Sequence, residues 1–299
     1  MSLSLSRCSF VVTAVATVIL VVASGCRSKQ LPTPPVATPS LSLSKPKVPL
    51  GSPIDITYRF AVAGDARFDQ DYRVMVHVLD SDDELIWTDD HNPSTPTTQW
   101  KPGQTVEYTR TVFVPTVPYV GEASVQVGLY STSNQKRLTL SGEDMGQRAY
   151  RVARLTLQPQ TENVFIVYKD GWHPAEVAEH NASVEWQWTK KDATLTFKNP
   201  KKDALLYLDV DNPGSVFRED QRVQLTLAGQ PLDQFTVTPG ERLLKKISVT
   251  AAQFGTGEMV ELQIDVDKTF VPALLPASSN KDPRELGVRV FHAYIQPVS

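Results

Sequence analysis

From Ile54 onward apolar side chains recur at every second residue, and no long stretch keeps the three-to-four spacing of an amphipathic helix. Ile54, Ile56, Tyr58, Phe60 and Val62 alternate with Asp55, Thr57, Arg59 and Ala61. A strand turns successive side chains to opposite faces, so this pattern describes a sheet with one face buried and one wet. Tyr72, Val74, Val76 and Val78 repeat it, as do Ala123, Val125, Val127 and Leu129. Leu85 to Thr88, Thr105 to Val114 and Tyr150 to Leu157 are expected to be strands too. Turn clusters such as Asn92-Pro93-Ser94 and Lys101-Pro102-Gly103 lie between them. About seven short strands between residues 41 and 158 is the count of an immunoglobulin-like sandwich. Its disulfide is absent, so no kinship with antibodies follows.

A second series follows Gln158-Pro159-Gln160. The expected strands are Asn163 to Tyr168, Val184 to Trp188, Ala193 to Lys198, Leu205 to Val210 and Arg222 to Ala228. Leu232 to Val237, Leu243 to Val249, Met259 to Val266 and Gly287 to Ile295 complete it. About nine strands between residues 160 and 299 predict a larger sandwich, a jelly roll. At most one short helical turn is expected, near Ala251 to Phe254. The fold class is therefore all-β, with two β-sandwich domains at 41–158 and 160–299.

Residues 1–25 have another character. Arg7 is followed by an almost unbroken apolar run from Phe10 to Ala23, too short for a standard membrane span of about 20 residues. It has the size of a signal-peptide core and ends in the small residues Ala23-Ser24-Gly25, directly before Cys26. This junction resembles a bacterial lipobox, although Ala23 stands where lipoboxes usually carry leucine. The resemblance implies diacylation of Cys26, which then becomes the new N-terminus. The other reading is an ordinary secretory signal with an incidental cysteine. Of the 2 cysteines, Cys8 would leave with the signal, so Cys26 would have no partner for an internal disulfide. By resemblance to Gram-negative lipoproteins, Arg27 implies sorting to the outer membrane in an organism that has one. Residues 26–40 comprise Cys26 and a proline-rich stretch, Arg27 to Ser40, that reads as an extended tether, roughly 40 Å long at about 3.1 Å per residue. The expected location is the bacterial cell envelope, with the membrane as partner through the lipid on Cys26.

Short motifs in the second series carry a further resemblance. Gly171-Trp172-His173-Pro174-Ala175-Glu176, Trp186-Gln187-Trp188-Thr189, Phe270-Val271-Pro272 and Asp282-Pro283-Arg284-Glu285-Leu286-Gly287-Val288 form one set. They resemble the galactose-binding-like jelly rolls appended to bacterial envelope and glycan-assembly proteins. The first series, with Val120-Gly121, Val127-Gly128-Leu129-Tyr130 and Arg137-Leu138, is similar to non-catalytic immunoglobulin-like domains. The resemblance implies carbohydrate binding and brings no catalytic residue.

Chemistry-bearing motifs are sparse. The histidines, His77, His91, His173, His180 and His292, stand in no metal-ligand spacing, and no nucleophile elbow, phosphate loop or dinucleotide turn occurs. Asp80, Asp82, Asp83 and Glu84 lack the glycine and terminal glutamate of a calcium loop and read as a solvated turn. Asp209 and Asp211 remain open. No metal or other cofactor is expected. The 30 basic and 33 acidic side chains leave a net charge of -3, which gives no global attraction to nucleic acid.

Trp186 and Trp188, two apart on one strand, share a face, with Trp172 upstream. Indole rings stack on the C–H face of a sugar, while Glu176, Asp282 and Arg284 are suited to its hydroxyls. The same rings equally suit a sandwich core, and Arg284 equally suits fixing its own loop through Asp282. Three functions stay open: a non-enzymatic envelope lipoprotein that binds glycan or envelope proteins, a pure scaffold, and a hydrolase of cell-surface polymer. The expectation is the first, with no enzymatic activity.

Overall fold

The computed structural model describes residues 33–160, 165–179, 181–276 and 279–298. The signal segment, Cys26 and the start of the tether lie outside the described residues. So do His180 and the first two residues, Asn163 and Val164, of one expected strand.

The first half forms β1 (Ala37–Leu43), β2 (Lys47–Pro49), β3 (Pro53–Val62), β4 (Arg73–Leu79), β5 (Leu85–Thr88), β6 (Thr105–Phe113), β7 (Gly121–Tyr130), β8 (Glu143–Asp144) and β9 (Tyr150–Gln158). One sheet has the order β1-β3-β6. The other has β2-β9-β7-β4-β5, with β2 parallel to β9 and β8 paired to β9. Their inner faces share one core, in which Ile54, Ile56, Tyr58 and Phe60 meet Val74, Val76, Val125 and Leu129. The period-two residues are the ones buried, so burial of one face against another sheet drives this sandwich.

One boundary differs from the sequence reading. Ala37 to Ser40 are not tether: they pair in β1, with Ala37 opposite Val62 and Pro39 opposite Phe60. Prolines obscured a period-two series of Ala37, Pro39, Leu41 and Leu43, whose side chains turn inward or half inward. An edge strand tolerates Pro39 because only one of its sides has to donate.

β7 is buried on both faces. A loop after β8 runs across its outer side, and a Cβ on Gly128 would lie only 3.0 Å from the Arg148 carbonyl oxygen. Glycine at this position is what admits that second layer.

The second half forms β10 (Ile166–Tyr168), β11 (Glu176–Ala178), β12 (Asn181–Trp188), β13 (Asp192–Lys198), β14 (Ala204–Asp211), β15 (Gln221–Leu227), β16 (Gln230–Val237), β17 (Arg242–Val249), β18 (Met259–Val266) and β19 (Arg289–Pro297). The sheets have the orders β10-β13-β18-β15-β16 and β11-β12-β19-β14-β17, and every pairing is antiparallel. From β12 to β19 the chain weaves between the sheets, so that β12-β19-β14-β17 faces β13-β18-β15-β16. That winding is a jelly roll. Its core holds Leu195, Leu206, Leu208, Val223, Leu225, Leu262 and Ile264, all fully buried. Ala251 to Phe254 form a pair of tight turns, in which Gln253 and Gly255 donate backbone N–H groups three residues back.

From Pro35 on, the chain makes one compact unit containing these two separate cores. Phe113, at the end of β6, stacks on His292 of β19 at 4.1 Å with the rings nearly parallel, and meets Tyr207 and Tyr294 edge-on. Lys246 Nζ donates to Asp55 Oδ1 at 2.8 Å across the same seam.

Candidate functional site

The tryptophan-containing motifs converge on one residue. Thr189, fully buried, directly follows β12. Its N–H donates to the Val288 carbonyl at 3.0 Å, its carbonyl accepts from Gly287 N–H at 2.6 Å, and its Oγ1 accepts from Val288 N–H at 3.1 Å. On the other side His173 N–H donates to the Trp188 carbonyl and Lys190 N–H to the Gly171 carbonyl. Both flanking segments need glycine at the crossing. A Cβ on Gly287 would collide with Thr189 Oγ1 and the Lys190 carbonyl, and a Cβ on Gly171, at φ +82°, would overlap the Asp192 carbonyl. His173 closes the knot through its Nε2, 2.7 Å from the Glu285 carbonyl oxygen.

This crossing brings Glu176, Trp188, Asp282 and Arg284 to a cleft of about 360 Å³, together with Phe270 and Pro213. Arg284 donates to both oxygens of Asp282 at 2.6–3.0 Å, and its Nη2 lies 2.7 Å from Glu176 Oε1. Trp188 Nε1 donates to the other Glu176 oxygen at 3.3 Å, and the edge of the indole meets Phe270 at 5.7 Å. Trp188 is only 7% exposed, so it forms the cleft's floor, not a projecting platform. Side-chain and backbone hydrogen bonds with Arg284 hold the Asp282 carboxyl below the usual range. The site thus offers apolar rings beside an acid–base–acid row that remains about one-third open to solvent at Glu176 and Arg284.

The other two tryptophans lie elsewhere. Trp172 packs against the jelly-roll core, donates Nε1 to the Thr194 carbonyl at 2.8 Å and meets Tyr168 edge-on. Trp186 stands two residues before Trp188 on the outer face of the sheet. Its ring tilts against Phe291 at 5.9 Å, and the Arg289 guanidinium sits 5.0 Å above it. Arg289 is held by Asp211 through two hydrogen bonds of 2.6–2.7 Å, and Arg242 is held by Asp209 at 2.6–2.8 Å. Both aspartates are therefore structural anchors for arginines that lie over aromatic rings. Periodicity did not reveal Arg289 and Arg242; the signal available was the spacing of Arg289 and Phe291, two apart and so on one face of their strand.

Asp80 Oδ1 accepts from the backbone N–H groups of Asp82 and Glu84 at 2.9 Å, so that acidic cluster is a turn holding itself together. Asp192 and Asp265 face each other across β13 and β18. Burial, then the neighbouring carboxyl, push Asp265 up, yet neither lines the cleft. Among the described residues no cluster has the makings of a metal site.

No family model matches the sequence, and no curated protein matches it. Among solved structures the chain is similar to a family GH115 4-O-methyl-alpha-glucuronidase with specificity for decorated arabinogalactans. That match has a TM-score of 0.31 and 18% identity, and covers 50% of this chain but only 20% of the other. It is similar to the CBM36-1 domain of a multidomain xylanase from the hindgut metagenome of Trinervitermes trinervoides, at 0.27 and 10%, over 46% of this chain and 99% of that one. A tandem CBM22 domain of Xyn10C from Paenibacillus barcinonensis matches at 0.27 and 10%, over 83% and 80% of the two chains. Carbohydrate-binding modules thus recur among the neighbours. At such TM-scores the superpositions are loose, and the functional reading rests on this chain's own residues.

The Asp209 anchor has a pH signature. Burial pushes its carboxyl up, but hydrogen bonds from Arg242 and His292 outweigh that and hold it below the ordinary range. A depressed carboxyl stabilises the fold fully above the unfolded aspartate value of about 3.9, and this contribution is lost as pH falls toward the folded value. Between about pH 5 and about pH 3 the wild-type melting temperature should therefore drop more than that of Asp209→Asn. Parallel curves would show that the anchor carries no such linkage.

Proposed function

We propose that this chain is a non-catalytic, lipid-anchored envelope protein whose jelly roll binds a glycan in the cleft beside Thr189. The observation that carries the reading is convergence: Glu176, Trp188, Asp282 and Arg284 come from three separated segments and line one opening. Aromatic rings beside a row of charged hydrogen-bonding groups suit a ligand with apolar C–H faces and many hydroxyls. A binding role is favoured over hydrolysis because Arg284 lies between Glu176 and Asp282 and pairs with both, leaving no pair of carboxyls flanking an open space for a scissile bond. In the first module, strand order β1-β3-β6 opposite β9-β7-β4-β5 supports the immunoglobulin-like reading, since it follows the A-B-E and G-F-C arrangement. Lipidation at Cys26 would anchor the protein, with the tether holding the sandwiches away from the membrane.

A scaffold reading has its own support in the seam, where Phe113 stacks on His292 and Lys246 pairs with Asp55. A rigid two-module spacer would need such contacts.

A glycan array probed with the full chain separates the two. The glycan reading expects at least one ligand to be retained, with Arg284→Ala binding it about tenfold more weakly. Because the Arg284 pairs are partly exposed, that change should cost only about 1 kcal/mol of stability. Trp188→Ala should instead lose about 3 to 5 kcal/mol of folding stability, because this ring is floor and not surface. A wild type that retains no glycan would leave the scaffold. The anchor is tested separately: a fatty-acid analogue should label wild type and not Cys26→Ser, and equal labelling would contradict it.

A further inference from the structure

The outer face of the first module carries a second opening, unrelated to the cleft. A cavity of about 580 Å³ lies over β4 and β7, floored by Met75 and Tyr130 and walled by two loops. One loop brings Gln135, Lys136 and Arg137, and the other Gln147 and Arg148; His77 and Asp90 complete the lining.

The charge here is unbalanced. Among the described residues no carboxylate forms an ion pair with Lys136, Arg137 or Arg148. Arg137 gives one N–H to the Gln147 carbonyl at 3.1 Å, and Arg148 gives one to the Arg137 carbonyl. A guanidinium has five donors, so each keeps most of its capacity. The single acid, Asp90, already accepts from Val76 N–H at 2.8 Å. Three cations against one acid is an uncommon local balance in a chain whose net charge is -3.

The loops are also held in costly conformations. Gln135, Gln147 and Arg148 have φ of +58°, +53° and +57°, a region that residues with side chains rarely adopt. The second loop keeps its place because Gly128 leaves room beneath the Arg148 carbonyl. The two arginines brace the loops against each other through the carbonyl bonds just described, which fixes the spacing of the positive charges.

We propose that this pocket binds an acidic sugar unit, its carboxylate held by Arg137, Arg148 and Lys136 and its hydroxyls met by Asp90, His77 and the amides of Gln135 and Gln147. The planar fork of arginine matches a carboxylate, and the mixture of donors and acceptors matches a ring of hydroxyls. Asp90 repels a phosphate dianion more strongly than a single carboxylate, and it readily accepts from hydroxyl groups. Burial lowers the His77 pKa against the upward pull of Asp90, with a smaller downward push from Arg137, so its imidazole is neutral and available as a hydrogen-bond partner. The Met75 and Tyr130 floor gives the C–H face of a sugar an apolar seat.

Calorimetric titration of the full chain with oligoglucuronate and oligogalacturonate, with the matching neutral oligosaccharides, and with inorganic phosphate tests this. At least one uronate should bind about tenfold or more tighter than its neutral counterpart, and its affinity should fall as salt rises. The double variant Arg137→Gln with Arg148→Gln should lose about tenfold or more in that affinity. If the double variant melts early, Lys136→Gln, on an exposed side chain, takes its place and should lose about threefold. Equal binding of uronate and neutral sugar, uronate binding that survives these changes, no uronate binding at all, or phosphate binding as tightly as uronate would each overturn the proposal.

Discussion

The jelly roll depends on a crossing at which residues 287–288 bond Thr189 on one side while residues 171–173 bond its neighbours Trp188 and Lys190 on the other. Thr189 is fully buried and engaged through its N–H, its carbonyl and its hydroxyl. Such a crossing is possible only where neighbouring residues have no Cβ, which is why glycine stands at 171 and 287. Its consequence is geometric. The segment that leaves through Gly171 delivers Glu176, and the segment that arrives at Gly287 delivers Asp282 and Arg284. Between them the strand itself delivers Trp188.

Charge plays an unusual part on the outer face of the same sheet. Trp186, Trp188 and Phe291 are large apolar rings on the side away from the core, where water would otherwise meet them. Arg289 and Arg242 cover them, and Asp211 and Asp209 hold those arginines in place. A guanidinium is weakly hydrated and stacks on ring faces, so the pairing lets aromatic surface stay partly wet at little cost. Farther along that face Phe113 of the first module takes over the same covering task for Tyr207, His292 and Tyr294.

Sequence alone revealed most strands, because an inner face buried against a second sheet leaves a period of two that no other element imitates. It missed β1 because the signal of Pro32, Pro34, Pro35 and Pro39 outweighs the alternation of Ala37, Leu41 and Leu43. It missed β11 because three residues are too few to show any period. Trp186 and Trp188 were rightly placed on one face, but parity on a strand says nothing about which loops fold over it. Phe270 and Asp282 come from such a loop, so the split between Trp188 in the cleft and Trp172 against the core was not legible. The basic pocket of the first module escaped for a related reason. Lys136-Arg137 and Arg148 are ordinary surface residues by spacing, and only the loop laid over Gly128 brings them together.

The central claim is that Trp188 floors a glycan cleft while Trp172 belongs to the core. Indole N–H resonances of the full chain, followed by NMR during titration with a neutral oligosaccharide retained on an array, address it directly. The Trp188 N–H, bonded to Glu176 at the cleft, should shift progressively to saturation, while the Trp172 N–H, bonded to the Thr194 carbonyl, should stay in place. A shift confined to Trp172, or saturation with Trp188 unmoved, would contradict the account.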